Sequence, residues 1–176
     1  MFVTLRPLSL ILPLGLLLAT AAAPAPVATL GADAATCRTG RGPAIQVNVA
    51  GLKDRRGEMW LEVYPAVESD FLRDDTDLVA EGKTFRRARA NPPASGDFAM
   101  CVQLPRPGRY ALLLRHNRTG KDKFSIWNDG IGFPGSGRIG RAKPRFAETI
   151  VDAGGGVTVS TIRLQYLRGL GGFQPL

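Results

Sequence analysis

Residues 44–49 alternate apolar and polar side chains, with Ile45, Val47 and Val49 on one side and Gln46 and Asn48 on the other. A period of two predicts a half-buried strand. The polar, glycine-bounded run 51–57 predicts a hairpin loop. Residues 58–64 then predict the returning strand, with Met59, Leu61 and Val63 on one face and Trp60, Glu62 and Tyr64 on the other. Alternation resumes at 97–104, where Phe98, Met100, Val102 and Leu104 form the inward set and Cys101 points the opposite way. Residues 109–115 are apolar on both faces from Ala111 to Leu114, as in a central strand covered on both sides.

The remaining segments are less regular. Residues 68–72 predict a single helical turn, after which Asp74, Asp75 and Asp77 crowd the chain. Residues 83–88 predict a short edge strand with Phe85 buried, and Arg86, Arg87 and Arg89 suit an edge because charge discourages pairing with other chains. The prolines and glycine of residues 105–108 predict a tight turn. Residues 116–145 are too long for an ordinary connection, and such loops are commonly functional. Residues 146–151 and 157–167 predict two final strands joined at a glycine run, with an apolar phase shift between Val159 and Ile162 that suggests a bulge. No long stretch has helical periodicity. The pattern predicts an all-β sandwich of about seven strands.

The N-terminus changes the picture of where the chain works. One positive charge at Arg6 precedes an apolar run over residues 8–19, of the length of a signal h-region and interrupted by Pro13 and Gly15. A membrane span needs about 20 apolar residues, so a cleaved leader is expected rather than a retained anchor. Small-residue cleavage sites stand at Ala19-Thr20-Ala21 and Ala32-Asp33-Ala34, and residues 20–35 read as an aperiodic spacer. The expected organisation is therefore residues 1–35 as signal peptide and spacer and residues 36–176 as one domain, periplasmic or secreted, with no stable membrane insertion. Cys37 and Cys101 are the only cysteines, and an even count in an oxidising compartment predicts a disulfide. Cys101 lies opposite the core set, so that bond should staple the N-terminal segment over the outside of a sheet. A lipid anchor on Cys37 is the competing reading, and Ala34-Ala35-Thr36 lacks the residues a lipobox needs.

Charge adds a partner class. Residues 36–105 hold ten Lys/Arg and ten Asp/Glu, whereas residues 106–176 hold twelve against four, so the formal +8 sits in the second half. Such asymmetry points to an anionic partner. Export argues against nucleic acid and for an anionic envelope polymer or lipopolysaccharide, with a basic surface tuned for solubility as the plainer reading.

Four ordered features carry a resemblance: Val49-Ala50-Gly51-Leu52, the turn from Leu104 to Ala111, the loop opening at His116, and Asp129-Gly130-Ile131-Gly132-Phe133. With the terminal Leu164-Gln165-Tyr166, they resemble the exported bacterial domain-of-unknown-function family 2141 over nearly the whole chain after residue 44. The resemblance implies a transthyretin-like or immunoglobulin-like sandwich with no assigned activity. It also implies a loop of the form His-Asp-x-Asn-Gly-Asn-Gly-Lys, similar to the start of a calcium loop. Here that loop reads His116-Asn117-Arg118-Thr119-Gly120-Lys121-Asp122-Lys123. Calcium takes six to eight oxygens with several carboxylates among them, and Lys121 puts a positive charge where a ligand belongs. No metal site and no cofactor is expected.

His116 is the only histidine, which excludes a two-histidine metal centre; a general base is less expected of it than a cap on the central strand. Trp127, Asn128, Asp129 and Phe133 make an aromatic, hydrogen-bonding cluster that suits either a sugar or packing on a sheet. The glycines at 130, 132, 135, 137 and 140 lack the Gly-Lys-Ser/Thr ending of a phosphate loop. The candidate ligand-contacting loop is thus His116, Asn117, Lys121, Lys123, Trp127, Asn128 and Asp129, with no catalytic residue assigned. The expected function is a non-enzymatic exported module binding an anionic or carbohydrate envelope component. The alternative is a small hydrolase of envelope or carbohydrate material, which would need Glu148, Asp122 and Asp129 gathered around a cleft.

Overall fold

The computed structural model describes Met1 and residues 27–176. The expected leader and the first part of the spacer lie outside the described residues. In chain order the elements are β1 (Ala28–Leu30), α1 (Ala34–Thr39), β2 (Ala44–Ala50), β3 (Glu58–Pro65), α2 (Asp75–Ala80), β4 (Arg86–Ala90), β5 (Phe98–Gln103) and β6 (Gly108–Asn117). They continue with β7 (Gly130–Gly132), β8 (Ile150–Ala153), β9 (Val157–Arg163), β10 (Tyr166–Leu167) and β11 (Phe173–Gln174). Two sheets pack face to face, as an all-β sandwich requires. The first has the order β1-β5-β2-β9; the second has the order β4-β3-β6-β7, with β8 also paired to β6. Strand β6 is long enough to take β8 along Gly108–Ala111 and β7 along Leu114–His116 on the same edge.

The inward sets read from the alternation meet between the sheets. Ile45, Val47, Met59, Leu61, Val63, Phe98, Met100, Val102 and Leu104 form one core with Leu112, Leu114, Ile162 and Leu164. A second cluster of Tyr64, Leu78, Ala111, Leu113 and Phe133 covers the outer face of the second sheet. That cover is why β6 is apolar on both sides. On the outside of the first sheet Cys37 and Cys101 are joined, with Cα atoms 6.1 Å apart. The bond pins α1 against Ala44 and Val157. Asp33 adds a side-chain acceptor 2.9 Å from the Gln103 N–H.

Several expectations give way here. β2 and β3 do not form a hairpin: they belong to opposite sheets, and residues 51–57 cross between the layers. Both strands turn their apolar faces to the same interior, so alternation assigns each a face without assigning a neighbour. The glycine run after β8 crosses in the same way, because β8 pairs with β6 and β9 pairs in parallel with β2. β9 keeps an unbroken register from Ala44↔Val157 to Ala50↔Arg163, so there is no bulge. Thr158 and Ser160 share the side of Ile45 and Val47, whereas Val157 packs on the disulfide cluster and Val159 is 59% exposed. Residues 146–149 form a 3₁₀ turn instead of a strand, with Phe146 5.9 Å from Phe71 on the outer cluster. The acids after Leu72 start a helix rather than crowd a loop. Asp74 caps α2 by accepting from the Thr76 N–H at 2.9 Å, and Asp75 and Asp77 sit in its first turn, where the backbone dipole favours negative charge. The fold also begins earlier than residue 36, since β1 pairs with β5 in parallel.

Candidate functional site

His116 ends the inward row of β6 and is fully buried. Its Nε2 lies 2.7 Å from the Arg56 carbonyl, an acceptor only, so Nε2 carries the proton. Nδ1 then accepts from the Tyr166 hydroxyl at 2.8 Å, and that hydroxyl in turn accepts from the Lys53 N–H at 3.0 Å. Burial holds the His116 pKa below its ordinary value and pushes the Tyr166 hydroxyl up to about 12. A neutral imidazole with both nitrogens engaged ties the 51–57 crossing to the end of the central strand. The hydrogen bonds of His116, expected to run into the long loop, go instead to Arg56 of the crossing and to Tyr166. Gly130 makes the arrangement possible, because a Cβ there would collide with the Tyr166 ring.

Arg115 points to the other face of β6 and organises the long loop. Its Nη1 donates to the Asp122 carbonyl at 2.6 Å; its Nη2 donates to the Lys121 and Lys123 carbonyls at 2.8 and 3.1 Å and to Asp129 Oδ2 at 2.9 Å. Asp129 is itself buried and accepts the Arg118 and Ser125 N–H groups, each at 3.0 Å. The loop therefore closes around a guanidinium. Three backbone carbonyls and a carboxylate, groups that a bound cation would use, are already taken by a resident positive charge. Added millimolar calcium is accordingly expected to leave the melting temperature unchanged, since only a ligand that binds the folded state raises it. A chelator-reversible rise abolished by Asp122→Asn would overturn this.

A concavity lies beside Arg115, on the outer face of the second sheet. It encloses about 890 Å³, within the range of small-ligand sites. Its floor includes Trp60, Glu62 and Tyr64 of β3, the outward set seen in the alternation, with Leu113, Ile131 and Phe133; residues 72–75 and 122–124 also line it. Three guanidinium groups lie over the Trp60 ring: Arg89 at 4.0 Å, Arg115 at 4.6 Å and Arg87 at 4.9 Å from its centroid. Most of the charge in the cleft is spoken for. Arg87 bonds Glu62 at 2.7 Å and Asp75 at 3.0 Å, Arg73 pairs with Asp70 and Glu81, and Glu62 also accepts from the Tyr64 hydroxyl at 2.7 Å. Burial, together with that contact to a carboxylate, raises the Tyr64 pKa. Two cations are the least engaged by carboxylates. Arg89 has only Asp122, at 3.8 Å and almost fully exposed, and Lys123 has no ion pair among the described residues. The Nε of Arg115, which lines the same cleft, is buried without a hydrogen-bond partner.

The residues singled out in the sequence are thus divided. Lys123 lines the cleft and Lys121 is exposed, with its carbonyl held by Arg115. His116, Asn117 and Asp129 are buried. Asn128 is exposed and bonds Ser125 Oγ at 2.9 Å. Phe133 packs in the outer cluster, but Trp127 is 79% exposed, so only part of the aromatic cluster is packing. The three hydrolytic candidates do not assemble: Asp122 lines the cleft, Asp129 is spent beneath Arg115, and Glu148 pairs with Arg145 and is not among the cleft residues. Among the described residues no cluster of three or more His, Cys, Asp or Glu could hold a metal, and no helix is long and apolar enough to cross a membrane. Sequence reasoning missed Arg115 and Trp60, and took Arg87 and Arg89 only as edge protection. Their alternate spacing was the available signal, since it puts both arginines on one face of the strand.

The family features noted in the sequence come together around this framework. Asp129 holds Arg115, Gly130 admits Tyr166, and Ile131 pairs with Gln165 through two backbone bonds of 3.0 and 2.8 Å. Gln165 is buried and fixes the next segment through Ile139 N–H and the Gly137 carbonyl. No curated protein and no solved structure matches the chain. The profile of the family described as uncharacterized protein conserved in bacteria, DUF2141, matches residues 47–161, from the middle of β2 into β9, and the chain belongs to that family.

Proposed function

We propose that this protein is an exported, non-enzymatic module that binds an acidic saccharide or similar anionic component of the bacterial envelope in the cleft of its second sheet. The reading is supported above all by Arg89, held only by an exposed Asp122 at 3.8 Å, and by Lys123, which line a cleft where Glu62 and Asp75 are already paired with Arg87. An anionic group entering there gains charge-assisted hydrogen bonds and competes only with the exposed Arg89–Asp122 contact at 3.8 Å. The polar and aromatic floor around Trp60, Glu62 and Tyr64 suits a ligand with hydroxyls and a ring face. Export is supported by the leader-like N-terminus and by the disulfide, a bond that persists in oxidising compartments. His116 and Asp129 are both engaged within the fold, and Glu62 and Asp75, which line the cleft, are paired with Arg87, which favours binding over hydrolysis.

Heparin serves as an acidic saccharide probe, with lipopolysaccharide as an envelope probe. Retention on heparin should fall steeply with salt, because the two charges are exposed and screened. The double variant Arg89→Ser, Lys123→Ser should weaken binding about tenfold or more, from the loss of two charge-assisted contacts, at an unchanged melting temperature. A flat salt response, or a double variant that binds like the wild type, would sink the assignment.

A further inference from the structure

The long loop presents apolar side chains that neither the core nor the cleft uses. Residues 125–128 form a tight turn: Asn128 and Asp129 N–H groups donate to the Ser125 carbonyl at 3.1 and 2.8 Å, and Asn128 Nδ2 donates to Ser125 Oγ at 2.9 Å. Asp129 clamps the base of the turn through the Ser125 N–H. At its apex Ile126 is 47% exposed and Trp127 79% exposed. A rigid turn therefore holds a tryptophan and an isoleucine out in solvent, where no packing benefit keeps them. The flanking residue Phe124 meets Phe173 with ring centroids 6.1 Å apart. The turn between β10 and β11, beside Phe173, carries a second exposed apolar tip, Leu170, at 87%. Arg138 donates to the Gly171 carbonyl at 3.0 Å and Arg168 bonds Gly171 and Gly172 through its backbone, so both flank the Leu170 turn. Lys121 lies in the same loop as Trp127, and all three cations are exposed, in the half of the chain that holds the whole net positive charge.

We infer that the Ile126–Trp127 turn is an interfacial anchor by which the protein seats on an anionic lipid bilayer surface. The occupant follows from size and charge. A convex tip of two side chains is far smaller than the roughly 800 Å² per partner of a specific protein interface, but insertion into a headgroup layer needs no complementary surface. Tryptophan favours that layer, with its ring in the apolar zone and its N–H at the polar boundary. Lysine and arginine beside it meet lipid phosphates while their stems cover apolar surface. The anchor is shallow and reversible, in keeping with the absence of a spanning helix among the described residues. It is independent of the cleft, since neither Ile126 nor Trp127 lines it.

The test uses the processed protein purified from cells, mixed with vesicles of phosphatidylglycerol and phosphatidylcholine or of phosphatidylcholine alone. Co-sedimentation is expected with the anionic vesicles and should weaken with salt. It should fall at least about tenfold in the Ile126→Ser, Trp127→Ser double variant, since apolar insertion supplies the affinity. Lys121→Ser should weaken binding to anionic vesicles and leave any residual binding to neutral ones unchanged. Trp127 emission should shift to the blue on binding, read as the difference between wild type and Trp127→Phe, because Trp60 is already buried. The variants are exposed and should keep the wild-type melting temperature, which separates lost anchoring from lost folding. Failure to sediment with anionic vesicles, or equal sedimentation of wild type and double variant, would overturn the anchor. Heparin binding should survive the double variant, because neither Ile126 nor Trp127 lines the cleft. Loss of vesicle binding with heparin binding intact supports the anchor, whereas loss of both would overturn its independence from the cleft.

Discussion

Asp129→Ala is expected to destabilise the protein by about 3–5 kcal/mol, the effect of leaving a buried charge without its partner. Arg115 stays enclosed in the loop after the substitution, and the Arg118 and Ser125 N–H groups lose their acceptor as well. For a domain of this size the melting temperature should drop by roughly 10 °C, read by calorimetry or by denaturant unfolding. The loop itself should loosen first, so trypsin should cut after Arg118, Lys121 and Lys123 much faster than in the wild type. Replacing both partners, Arg115→Met with Asp129→Leu, should recover much of the loss, because removing a whole buried pair is far cheaper than orphaning one member. A loss below about 1 kcal/mol in the single variant would show that the pair is solvated in solution and that the loop is not built around it.

Reduction of Cys37–Cys101 is expected to have an effect of similar size by another route. The bond joins residues 64 apart, and releasing a loop of that length costs about 4 kcal/mol on the chain-entropy model. The structural consequence should be local to the first sheet, where α1 is held against the outer side of β2 and β5 by the disulfide and by Asp33 on Gln103. Amide exchange should accelerate over residues 28–39 under reducing conditions while β3 and β6 stay protected. Intact mass before and after reduction and alkylation checks the bond itself. Two thiols alkylated without prior reduction would show that it does not form.

The plan of the sandwich was legible because it rests on period and composition, which are local. Ile45, Val47, Met59, Leu61, Val63, Phe98, Met100, Val102 and Leu104 all face the core that their alternation predicts, and Cys101 faces away with its partner on the outside. The same information could not say which strands are neighbours. β2 and β3 share the pattern of a hairpin yet cross between sheets, because an apolar face is satisfied equally by a strand beside it or by a layer opposite it. The missing helix α2 was hidden by its length: six residues show too little periodicity to register, and only its cap, Asp74 on Thr76, betrays it.

Sequence by itself determined the two-layer architecture and the inward and outward faces of the long strands, which follow from side-chain type and spacing along one strand at a time. The even cysteine count pointed to the disulfide, and the ordered motifs from Val49 to Tyr166 pointed to the family. Tertiary structure decided the site. Arg115 reads as the polar end of an apolar strand until the fold wraps residues 121–129 around it, and Trp60, Arg87, Arg89 and Lys123 come from three separate stretches that only sheet pairing and the loop bring to one cleft. His116 looked chemically available in the sequence and is closed off in the fold, because burial between two sheets removes water and leaves its nitrogens to Arg56 and Tyr166. Distances between residues far apart in the chain are set by packing, and packing is a property of the whole core and not of any segment that contributes to it.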